Sequence, residues 1–110
     1  MLEIVINGET VLSLDSAMRF PGHQRQFMDT MDLDMDEGIE LEGHFIEKPD
    51  EIDRAKYVAM NLVLAVQAKN DEMTNAMCAY LVKRQPDLKQ VRANENGDSV
   101  EMDLIYKEMN

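Results

Sequence analysis

Eleven carboxylates and one base fall between residues 29 and 53, a net charge of −10 in one short stretch. Residues 1–28 carry three acids and two bases, and residues 54–110 carry eight of each, so nearly all of the chain's net charge of −11 sits there. Acids at this density form a solvated face, meet a basic partner, or hold a cation. Met31-Asp32-Leu33-Asp34-Met35-Asp36 alternates with the period of a strand, and Ile39-Glu40-Leu41-Glu42 repeats the pattern. Between them, Asp36-Glu37-Gly38 suits a three-residue hairpin loop with glycine in the left-handed position. The sequence therefore predicts a hairpin over 31–46 in which Asp34 faces Glu40 and Asp32 faces Glu42.

Like charges directly opposite each other destabilise a sheet. At ~5 Å in watery surroundings each such pair costs about 0.8 kcal/mol before screening. A basic protein partner would relieve that repulsion, which makes Asp32, Asp34, Asp36, Glu40 and Glu42 the candidate partner-binding patch. A helix competes for the same residues, because Phe27, Met28, Met31 and Met35 fall at helical spacing. Against it, Asp34, Asp36 and Glu37 would crowd the carboxyl end, where the helix dipole disfavours negative charge.

Asp32-x-Asp34-x-Asp36 opens like a calcium loop, but Glu37 stands where glycine is required and Gly43 where the bidentate glutamate belongs. No metal site is expected. The single cysteine excludes an internal disulfide and a cysteine-based zinc site, and Cys78 reads as a buried, inert thiol. His44 with Glu42, Glu47 or Asp50 would be the acid–base set of a small enzyme, although carboxylates this abundant say little by their presence. No phosphate loop, nucleophile elbow or metalloprotease pair occurs. The chain thus reads as non-enzymatic, with no cofactor.

Ten methionines are the second unusual feature. Met28, Met31 and Met35, and then Met73 and Met77, recur at helical spacing. Methionine fills irregular cores and also lines adaptable grooves for apolar peptides or ligands. Asn61 lies in the most apolar part of the chain, as a polar pin in the core or as part of a pocket.

The elements that must position these residues follow from local signals. Leu2–Ile6 and Thr10–Leu14 read as strands around the tight turn Asn7-Gly8. Residues 15–26, with Phe20-Pro21-Gly22-His23, read as a loop. Asp50 caps a helix whose stripe is Ile52, Ala55, Ala59, Leu62 and Val66. Val58, Met60, Val63 and Leu64 make it apolar nearly all round, so it should have neighbours on more than one side. A second helix carries Met73, Ala76, Met77, Tyr80 and Leu81 and ends before Pro86. One unbroken rod over 50–84 would be about 52 Å long and would need a homo-oligomer to cover it. A break at Lys69-Asn70-Asp71 is expected instead, where Asn and Asp can cap. Leu88–Asn94 and Ser99–Tyr106 are strands around a second Asn-Gly turn.

With 110 residues and 45% hydrophobic content, one domain with a packed core is expected. Its class is α+β: an antiparallel sheet of hairpins with two central helices packed on one face. The net charge disfavours nucleic acid and anionic membrane surfaces. The longest apolar-rich segment, Tyr57 to Val66, falls short of the ~20 residues of a spanning helix, and MLEIVINGET lacks the features of a signal peptide. A soluble, cytoplasmic protein is expected. Its first functional reading is an interaction or regulatory module using the acidic hairpin. The second is a small-ligand binder with a Met-rich apolar pocket between the helices and the sheet. The third is a small enzyme built on His44.

Overall fold

The computed structural model describes residues 2–14, 23–41, 43–97 and 99–107. Strands β1 (Leu2–Ile6) and β2 (Glu9–Leu14) form the first hairpin. Its turn has positive φ at both Asn7 and Gly8, as a two-residue turn of the Asn-Gly kind requires. Helix α1 (His23–Asp36) follows, then a small hairpin of β3 (Ile39–Leu41) and β4 (His44–Ile46). Helices α2 (Glu51–Gln67) and α3 (Asp71–Arg84) come next, and the chain ends in the hairpin β5 (Leu88–Asn96) and β6 (Ser99–Tyr106).

The larger sheet has the order β2-β1-β5-β6. Leu2, Ile4, Leu14, Leu88, Val91 and Ala93 from its strands are buried, as are Ala55, Val58, Ala59, Leu62 and Leu81 from α2 and α3. Arg92 and Asp103 pair across β5 and β6 and are exposed, so one face of the sheet is wet. The α+β class and the two central helices agree with the sequence reading. The sheet differs in being mixed, because β1 and β5 run parallel while the other pairs are antiparallel. A parallel pair needs a long crossover, and here three helices and the small hairpin supply it. Asn7 reinforces the pairing: its N–H donates to the Ala93 carbonyl at 2.8 Å, and its side-chain oxygen accepts from Glu95 N at 2.8 Å.

Both helix starts match their expected caps. Asp50 accepts from Asp53 N at 2.8 Å while Asp53 accepts from Asp50 N at 3.2 Å, a reciprocal capping box. Asn70 accepts from Met73 N at 3.1 Å and opens α3. Lys69 takes φ +57° between them, so the chain reverses and α3 returns along α2.

Residues 31–36 require a correction. They are the last turns of α1, and the hairpin lies later, with Ile39 opposite Ile46, Glu40 opposite Phe45 and Leu41 opposite His44. Gly38 is therefore a helix terminator and not a hairpin loop residue. Its N–H bonds back to the Met35 carbonyl at 3.0 Å, its φ is +112°, and a Cβ there would collide with the ring of Phe45. Of the loop read over 15–26, residues 15–22 lie outside the described residues, and residues 23–26 already belong to α1.

Two measurements test this core. Leu62 has 0% of its surface exposed, so Leu62→Ala should cost about 2–5 kcal/mol in urea or thermal unfolding. Burial pushes the Cys78 thiol up to about 11. The unfolded thiol ionises near ~8.5, so above that pH the unfolded state binds fewer protons than the folded one. Stability from this group is therefore lost as pH rises from about 8.5 toward 11. The stability advantage of the parent over Cys78→Ala should narrow across that window, as read from unfolding midpoints.

Candidate functional site

Asp29, Asp32 and Asp36 share one stripe of α1, and that stripe faces arginine. Arg54 on α2 approaches the Asp32 carboxylate at 3.2 Å and also binds Asp36. The same guanidinium donates to the backbone carbonyls of Asp32 and Pro49, both at 3.3 Å. From α3, Arg84 reaches Asp29 at 2.7 Å and Asp32 at 3.5 Å. The Tyr80 hydroxyl donates to Asp32 at 2.6 Å. Burial first, and then this bond, push the Tyr80 phenol well above its ordinary pKa. The hydrogen bond to Asp36 leads a set of interactions that hold Arg54 charged against the opposing effect of burial.

These pairs explain why the helix prevails over the strand pattern. Acid at the carboxyl end of an isolated helix is unfavourable, but Asp36 there and Asp32 one turn earlier meet Arg54, and Asp32 and Asp29 meet Arg84, partners that sequence proximity does not reveal. A polar cleft of ≈ 580 Å³ adjoins the network, lined in part by Glu51, Tyr80 and Gln85. Its groups are largely satisfied by one another: Gln85 donates to the Glu51 carbonyl at 3.3 Å and accepts from the Tyr106 hydroxyl at 3.0 Å.

The other side of α1 borders a pocket of different character. It encloses ≈ 430 Å³. Met31 and Met35 of α1 line one side, and Tyr57, Asn61, Leu64, Ala65 and Ala68 come from α2. Met73 and Met77 of α3 contribute next to Asn70, and Gly38 and Ile39 stand between α1 and β3. The pocket exists because α1 packs chiefly on α3 and reaches α2 through Arg54, near the start of that helix. One side of the later turns of α2 is left uncovered. Leu64 is accordingly 51% exposed and Met73 37% exposed.

The five acids read from sequence are thus dispersed. Asp32 and Asp36 hold Arg54, Asp34 lines the Met pocket, and Glu40 is exposed on β3 opposite Phe45. Asp34 is helical and Glu40 pairs with Phe45, so Asp34 does not face Glu40 across a strand pair; Glu42 lies outside the described residues. The calcium-like string is split in the same way, with Asp34 on the pocket and its two partners on arginine. His44 is exposed, and its imidazole makes no hydrogen bond or ion pair among the described residues. Among those residues no three His, Cys, Asp or Glu side chains converge to hold a metal ion.

Sequence reasoning flagged Asn61 and the methionine pairs but did not single out Tyr57, Ala65 or Ala68. The available signal was the nearly all-round apolar surface of α2, one side of which proves to be pocket wall.

The network yields a contrast between neighbouring acids. Asp32→Asn leaves Arg54 and Arg84 short of a counter-charge and should destabilise by about 1–3 kcal/mol. Asp34→Asn removes no protein partner and should stay within about 0.5 kcal/mol of the parent. Chemical denaturation of both variants checks this; equal effects would mean that Asp32 does not hold the helices together.

The chain matches no protein family, no curated protein and no solved structure.

Proposed function

We propose that this protein is a small-ligand-binding domain whose site is the Met-lined pocket between α1, α2 and α3. The observation that carries the reading is the pocket itself: ≈ 430 Å³ of space walled by Met31, Met35, Met73 and Met77 on two helices. Ligand pockets typically enclose about 300–1,000 Å³ and combine apolar walls with a few polar groups. Thioether side chains are flexible and polarisable, so four of them adapt to an occupant's shape. Exposed Leu64 and Met73 lose their contact with water when the pocket is filled.

The neutral fluorophore N-phenyl-1-naphthylamine tests the reading. It should bind saturably at one site with enhanced emission. Ala68→Phe places a ring at the pocket wall on an exposed residue and should abolish the signal while leaving the melting temperature near that of the parent. Absence of binding to the parent, or undiminished binding to a folded Ala68→Phe variant, would refute the proposal.

The interaction-module reading retains one support. Phe45 is 66% exposed and stands opposite Glu40 on the small hairpin. A basic partner displaced by Phe45→Ala and Glu40→Gln, but indifferent to Ala68→Phe, would favour that reading over the pocket.

A further inference from the structure

We infer that the occupant of the Met pocket is an apolar cation bearing N–H donors, of the protonated primary amine class. The inference rests on the pocket reading and adds the ligand's chemistry to it. Asp34 is the one charged side chain among the described residues that line the pocket. Of the four acids on α1, Asp29, Asp32 and Asp36 are taken up by Arg84 and Arg54. The Asp34 carboxylate has no ion pair or hydrogen bond among the described residues. An exposed carboxylate at the edge of apolar walls can pair with a cation whose hydrocarbon part lies against those walls.

Asn61 supplies the second feature. Its side-chain N–H₂ donates to the Tyr57 carbonyl at 3.0 Å. That bond sets the amide's orientation, since a carbonyl accepts only from the nitrogen. The amide oxygen has no donor among the described residues, and Asn61 lines the pocket. A charged acceptor at Asp34 and a neutral one at Asn61 together call for donors from the ligand.

The far end of the pocket does not reverse this preference. The amino terminus of α3 arrives there with Asn70 and Met73, and a helix start would attract an anion. Its first turn, however, carries Asp71 and Glu72, and the Asn70 oxygen is already held by Met73 N. The pocket's apolar length fits the hydrocarbon of an alkyl- or arylamine, and its acceptors fit the ammonium.

Displacement of N-phenyl-1-naphthylamine by four probes of equal chain length tests the assignment: n-octylammonium, n-octanol, n-octanoate and octyltrimethylammonium. Octylammonium should displace the dye at the lowest concentration and octanoate at the highest. Octyltrimethylammonium keeps the charge without N–H groups and should fall between them. Asp34→Asn should weaken octylammonium roughly five-fold, the order of one exposed ion pair, and leave octanol unchanged. Glu101→Gln removes the same charge from exposed β6 and should change neither. Asn61→Leu should narrow the difference between octylammonium and octyltrimethylammonium, because one of the two acceptors for N–H groups is lost.

Octanol or octanoate displacing the dye as well as octylammonium would overturn the inference and leave the pocket reading standing. So would an Asp34→Asn effect no larger than that of Glu101→Gln. A parent protein that binds neither the dye nor any octyl probe would overturn both.

Discussion

A single carboxylate decides how the helices are arranged. Asp32 receives the Tyr80 hydroxyl at 2.6 Å and the Arg54 guanidinium at 3.2 Å, with Arg84 beyond at 3.5 Å. Three helices meet at that point. Its side chain is 32% exposed and that of Arg54 20%, so the pair is neither a surface contact of negligible worth nor a fully desolvated one. Its larger effect is positional. By tying α1 to the start of α2 and the later turns of α3, it commits α1 to one end of the α2–α3 pair. The opposite end is left uncovered, and there the Met-lined space opens.

The contrast between what was legible in the sequence and what was not follows the range of each interaction. Asn7-Gly8, Asp50 and Asn70 act on atoms within three residues, and all three behave in the structure as their side chains require. Cys78 and the middle of the α2 stripe, Ala55, Ala59 and Leu62, were legible because a helix repeats its buried face at a fixed period, whereas Ile52 at the stripe's start is exposed and Val66 at its end is half-buried. Residues 31–36 were not. Their alternation of apolar and acidic residues fits a strand, and the helix owes its acids' compensation to Arg54 and Arg84, 18 to 55 positions along the chain. The parallel pairing of β1 with β5 is likewise a product of the crossover, which no local pattern in either hairpin encodes.

The candidate site shows the same division. The i, i+4 methionine pairs and Asn61 were visible as unusual residues, but their convergence depends on where α1 lies. Helix α2 illustrates why an all-round apolar surface is ambiguous. Val58, Ala59, Leu62 and Val63 are buried, whereas Leu64 is half exposed on the pocket wall and Ile52 is exposed near the helix start. Apolar sides of a central helix can thus face a core, a pocket or solvent, and periodicity does not separate them. Methionine suits such a boundary because it loses little by being partly wet and repacks readily when covered.

The dense acidic stretch resolves into several physical roles. Asp29, Asp32 and Asp36 neutralise arginines. Asp50, Glu51 and Asp53 sit at the amino end of α2, where two of them form its cap and all three face the positive end of the helix dipole. More than half of the eleven acids are therefore compensated by the fold, and a charge count over residues 29–53 overstates the field that a ligand would meet. Asp34, Glu37, Glu40 and Glu47 remain exposed. Three of these four lie within a few residues of Gly38, and Gly38 itself lines the Met pocket with Asp34. Most of this remaining exposed acidic charge thus lies in sequence around Gly38, at the junction of α1 and β3. Of these acids Asp34 alone is among the described residues that line the pocket, so the charge that an occupant meets directly is one carboxylate and not the whole stretch.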